Sequence, residues 1–148
     1  MLAKLQKLLD GKKWKLERNG VVFENNGGVV QVVATGLFTQ PVSFTLSTAQ
    51  LLLLRNFVNA YANSDDHDIY LVKLNTGIRI AADNEFEQNA LDLNEDGTAV
   101  IFAGWSSGDY WDSWLVSNDG SMHYTGTVEG YRRIPEWIKL AMEVQYAG

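Results

Sequence analysis

Apolar residues recur at helical spacing in two early stretches of the chain. Leu2, Leu5, Leu8 and Leu9 share one face, Lys4 and Lys7 lie on another, and Gly11 supplies a stop. The spacing predicts a short amphipathic helix within residues 1–11, an element that either docks on the body of the protein or lies on a membrane or a partner. In the second stretch Ser47-Thr48-Ala49-Gln50 forms a capping box, Leu46 and Leu51 can staple it, and Leu54, Phe57, Val58 and Tyr61 continue one apolar face. That helix is expected to end near Asn63. Between the two, WKLERNGVVFE and VVQVV read as one hairpin turning at Asn25-Asn26-Gly27-Gly28.

Beyond residue 68 the pattern changes to short alternating runs punctuated by three related turns: Asn75-Thr76-Gly77, Glu95-Asp96-Gly97 and Asn118-Asp119-Gly120. Each suits a three-residue loop closing on a left-handed glycine. The strands expected are 69–74, 78–82, 90–94, 98–104, 110–117 and 121–128. Pro135 then fits the first turn of a helix that carries Trp137, Ile138, Ala141 and Val144 inward. The whole reads as one α+β domain over residues 1–148: an antiparallel meander sheet with N-terminal, middle and C-terminal helices.

Composition narrows the class without naming a function. Residues 1–18 hold six Lys or Arg against two acids, which leaves six basic and sixteen acidic groups in the rest. An acidic body disfavours nucleic acid and anionic membranes and suits a basic protein partner. There is no cysteine, no apolar run of membrane-spanning length, and no secretory signal pattern at the start. A cytoplasmic protein is expected, with self-association an open possibility. The GxGxxG and GxxxxGK[ST] phosphate loops are both missing, so a nucleotide cofactor has no support, and no cofactor is expected.

Several groupings carry possible chemistry. Asp92, Asn94 and Asp96 with Gly97 match the first half of a calcium loop, but Ala103 stands where the bidentate glutamate belongs. A polar hairpin turn accounts for the same residues, with calcium kept as an alternative. Ser64-Asp65-Asp66-His67-Asp68 reads as a solvated loop. No GxSxG elbow accompanies His67 or His123, and an acid/base hydrolase using Asp109 or Asp112 is a third, weaker reading. A three-residue turn at 75–77 would set Lys73 opposite Arg79, a like-charge pair that calls for an anion between them, either an internal acid or a ligand.

The stretch AGWSSGDYWDSWLVSNDGSMHYTG, residues 103–126, holds three of the five tryptophans. The turn at 118–120 pairs Leu115 with His123, Ser113 with Thr125 and Trp111 with Thr127 on one face. Tyr110, Trp114, Val116, Met122, Tyr124 and Val128 fall on the other, a core face that also receives Asp112. Asp112 is therefore expected either to lean inward and need hydrogen-bond donors or to lie beyond the edge of the core. The hydroxyl-rich face with Trp111 is either covered by the closing helix or open to a partner. Trp105 and Asp109, in the loop before it, extend the same patch.

The run IFAGWSSGDYWDSWLVSNDGSMHY followed by a closing helix resembles the C-terminal half of Smi1/Knr4-type immunity proteins, and that resemblance implies an acidic partner-binding module. The reading adopted is a non-enzymatic protein-interaction module of immunity, inhibitor or adaptor type, or a subunit of a larger assembly. Its surface is made of Trp105, Asp109, Trp111, Asp112, Leu115 and His123. A carbohydrate-binding domain stacking sugars on Trp105 and Trp111 is the alternative.

Overall fold

A computed structural model describes residues 2–10, 14–61, 65–105 and 111–125. Helix α1 (Leu2–Leu9) leads into strands β1 (Trp14–Arg18), β2 (Val21–Asn26), β3 (Val29–Ala34) and β4 (Val42–Thr45), which form a four-stranded antiparallel sheet in that order. Helix α2 (Thr48–Tyr61) follows. Strands β5 (Asp68–Lys73), β6 (Gly77–Asp83), β7 (Glu87–Asn94), β8 (Ala99–Trp105), β9 (Trp111–Val116) and β10 (Met122–Tyr124) then make a six-stranded antiparallel meander. The α+β class and the antiparallel pairing are as expected. The strands divide between two sheets, however, and the helix expected from Pro135 lies outside the described residues.

The extra strands have a local cause. Asn19 and Gly20 both take positive φ, 55° and 76°, and make a two-residue turn between Arg18 and Val21. The run read as one strand is thereby split into β1 and β2. Phe23, Val32 and Phe44 on the inner face of the small sheet join Leu5 and Leu8 of α1, Leu54, Phe57 and Val58 of α2, and Ile80, Leu91 and Ile101 of the large sheet in one buried cluster. Each such side chain contributes roughly 1.5–3 kcal/mol by leaving water.

Polar anchors fix the helices to this core. The capping box is present, with Ser47 N–H donating to Gln50 Oε1 at 2.9 Å and Gln50 N–H to Ser47 Oγ at 3.2 Å. Gln50, wholly buried, also donates through Nε2 to the carbonyls of Asn94 and Thr98 at 2.8 and 2.9 Å, and Ser47 Oγ donates to the Gly97 carbonyl. The start of α2 is thus bolted to the β7–β8 turn. At the C-terminal end of α1, the Leu8 carbonyl accepts from Asn25 Nδ2 and the Leu9 carbonyl from Arg55, which satisfies groups the helix leaves open. With Leu5, Leu8 and Leu9 buried, α1 is docked on its own protein.

The turns decide the register of the meander. Gly97 and Gly120 have φ of 90° and 87°, and the bonds Asn94 N–H to Thr98 O and Ser117 N–H to Ser121 O close the three-residue loops expected there. The turn at 75–77 differs. Leu74 N–H bonds to the Gly77 carbonyl, so Lys73 pairs with Ile78 and Val72 with Arg79. The expected opposition of Lys73 and Arg79 does not occur. A two-residue loop replaces the three-residue one, and Gly77 is required for a different reason: a Cβ there would stand 1.9 Å from the Leu93 carbonyl oxygen.

Candidate functional site

The six-stranded sheet has one face on the core and one turned outward. Register places Val72, Arg79, Asp92, Val100, Leu115 and His123 in a single outward row that crosses all six strands. Beside it runs a second row of Tyr70, Ala81, Ala90, Phe102 and Ser113, with Thr125 continuing past the end of β10. The alternation that buries Ile80, Leu91 and Ile101 sends these neighbours to the opposite face, where Ala81, Asp92 and Ser113 are nevertheless buried.

The centre of this face is electrically closed. Arg79 Nε and Nη2 donate to Asp92 Oδ1 and Oδ2 at 2.6 and 2.8 Å, a two-pronged pair, and the guanidinium carbon lies 5.1 Å from the Phe102 ring centroid. The hydrogen bonds to Asp92 hold the Arg79 pKa above its ordinary value against the opposing effect of burial. The Lys73–Arg79 opposition that called for an anion is absent, and the acid beside Arg79 is Asp92. The margins of the face are apolar and open: Tyr70 is 48% exposed and Val72 41% on β5, and Leu115 is 37% exposed on β9. His123, exposed, sits opposite Leu115 as expected, and Ser113 Oγ meets Thr125 Oγ1 at 2.8 Å.

The residues expected to form one surface are not all brought together. Leu115 and His123 share the outward face. Trp111 holds the register position opposite Gly104, and Trp105 the position opposite Glu87. Asp109 lies outside the described residues. Asp112 is buried on the core side, where the Tyr124 hydroxyl donates to Oδ1 at 2.5 Å. Of the two placements expected for Asp112 the structure shows the inward one, which removes it from the outward surface.

The half calcium motif is taken up by structure. Asp92 binds Arg79, Asn94 donates to Thr98 Oγ1 while its carbonyl accepts from Gln50, and Asp96 accepts from the Thr98 N–H and hydroxyl. Among the described residues no three His, Asp or Glu side chains gather as a metal site would require. In the 64–68 segment, Asp65 and Asp66 are exposed, but His67 is half-buried, with Nε2 at 2.7 Å from Glu87 Oε1 and its ring edge-on to Tyr61. It clasps the approach to β5 against the start of β7, a role the solvated-loop reading missed.

Two other features had no signal in the strand and helix patterns. Tyr70 and Val72 are exposed because β5 is the last strand of its sheet. Leu37 and Phe38, in the loop before β4, are 94% and 98% exposed. Among the described residues no helix is long and apolar enough to cross a membrane. Compared with known proteins, the chain matches no family model, no curated protein and no solved structure, so the Smi1/Knr4-type resemblance gains no support from them.

Proposed function

We propose that this is a non-enzymatic interaction module that binds a protein partner on the outward face of its six-stranded sheet. The observation that carries the reading is the arrangement of that face. Exposed Tyr70 and Val72 at one margin and Leu115 at the other flank an Arg79–Asp92 pair whose charges neutralise each other. An apolar surface around a neutral centre suits burial by another protein. The acidic remainder, with net charge −6, favours a basic partner through long-range attraction. An immunity, inhibitor or adaptor role, or a place in a larger assembly, fits equally.

Affinity capture from the native source tests the proposal. Wild type is compared with Leu115→Asp and Val72→Asp, with Glu24→Gln on the other sheet as a control and folding checked by circular dichroism. A partner retained by wild type and by the control, and lost by both folded face variants, supports the reading. A partner retained by all four proteins, or none captured by any, rejects it.

A further inference from the structure

Strand β4 ends the four-stranded sheet, and among the described residues nothing pairs with its outer edge. Leu46 N–H bonds to the Val30 carbonyl, so by alternation Phe44 and Val42 also direct their backbone groups to β3. The backbone groups of Ser43 and Thr45, both exposed, point away from it. Folded proteins commonly protect such edges with charge or by covering them. Strand β1 carries Lys15, Glu17 and Arg18, and the edge of β5 is covered where Asn19 Nδ2 donates to the Leu71 carbonyl at 2.9 Å. On β4 there is nothing comparable among the described residues. No Asp, Glu, Lys or Arg occurs from residue 25 to residue 54, in a chain of net charge −6.

The loop that enters β4 adds apolar surface to that edge. Thr35 N–H bonds to the Gly20 carbonyl and fixes the base of the loop, leaving Leu37 and Phe38 projecting into solvent. Exposed Val33 lies opposite Ser43 on the adjoining strand.

We propose that this edge is a self-docking surface, through which two copies of the chain pair β4 to β4 in antiparallel fashion. The charge pattern favours a second copy over other occupants. Two acidic bodies repel wherever their carboxylates face each other, and a neutral edge lets them meet without that cost. A basic partner finds no acid here to pair with. A membrane surface calls for cations beside the apolar tip, and Lys73, whose stem passes Gly36, directs its ammonium to the Leu74 carbonyl.

A two-fold axis at Phe44 sets Ser43 of one copy opposite Thr45 of the other, which joins the outward backbone groups in four hydrogen bonds and makes one eight-stranded sheet. Each Leu37–Phe38 tip then lies along the segment that follows β4 in the other copy, where Leu51 and Leu52 are half-buried. Phe38 offers about 150–250 Å² for burial. With Leu37 and a four-residue edge, counted twice, the contact falls at the small end of specific interfaces, about 1,200 Å². A contact of that size fits a weak, reversible dimer.

The surface lies in the other sheet from the proposed partner face, and the pairing stands or fails independently of that reading. Sedimentation velocity of the full chain over a concentration series tests it, with Phe38→Ser and Thr45→Pro as variants. The proline removes an outward N–H that the protein's own sheet does not use. Wild type is expected to move from 16.6 kDa towards twice that mass, with Ser43 and Thr45 amide exchange slowing as it does. Phe38→Ser is expected to weaken pairing at least about tenfold, and a folded Thr45→Pro to abolish it. Wild type that stays monomeric to about 1 mM overturns the proposal. A dimer of undiminished strength in Phe38→Ser overturns it too, as does one in folded Thr45→Pro.

Discussion

At the scale of single residues, the strongest constraints are polar groups that serve two elements at once. Gln50 completes the cap of α2 with its oxygen and holds two carbonyls of the β7–β8 turn with its amide nitrogen. Gln50→Ala leaves those groups unsatisfied in a buried place, and denaturant unfolding is expected to show a loss of about 2–4 kcal/mol. Ser47→Ala, which removes the cap oxygen, should cost about 1 kcal/mol. The aspartates differ in sign. Asp96 is held below the ordinary carboxylate range by the hydroxyl and then the N–H of Thr98, and Asp119 in the same way by Ser121. Their contribution to stability is present above the ordinary carboxylate pKa and is lost as pH falls through their lowered values. Asp83 is pushed up by burial, so its contribution is greatest in acid and is lost as pH rises through its raised value. A carbon-detected NMR titration is expected to place the midpoints of Asp96 and Asp119 below that of Asp83. The reverse order would contradict these assignments.

At the scale of elements, the β7–β8 turn is the hub that a calcium reading would have claimed. Its oxygens are occupied by Arg79, Gln50 and Thr98. Melting temperature is therefore expected to be the same in millimolar calcium and in chelator, and a rise with calcium would refute that structural role. Where a signal was local, the chain could be read directly. The capping box, the loops at 95–97 and 118–120, and the Leu115–His123 pairing all depend on residues within a few positions of each other. Reading failed where a distant backbone decided the outcome. The sequence suits a left-handed Gly77, but it is glycine because the Leu93 carbonyl passes too close for any Cβ, and the two-residue loop before it offsets Lys73 from Arg79. Gly77→Ala should cost about 3 kcal/mol, measured by chemical denaturation. The Asn19-Gly20 turn is present in the chain, but the apolar residues on its two sides follow a pattern that one continuous strand also satisfies.

For the whole molecule, the assignment of strands to two sheets was not legible, because the alternation of a strand says which face is buried and not which neighbour it joins. The same limit applied to the surface. Leu115 and His123 could be paired from one turn, but Tyr70 and Val72 join them only because the meander ends at β5. Leu37 and Phe38 carry no periodicity from which exposure can be read. The resulting molecule has a neutral, apolar-margined face on one sheet and an uncharged outer edge on the other, within an acidic body. The proposed function requires that a protein partner cover the first of these. The most direct measurement is methyl NMR of the folded chain, with and without the captured partner. Methyl signals of Val72, Val100 and Leu115 are expected to shift while those of interior Leu54 and of Val29 and Val33 on the other sheet stay in place. Shifts confined to Val29 and Val33, with Val72 and Leu115 unmoved, would contradict the proposed function.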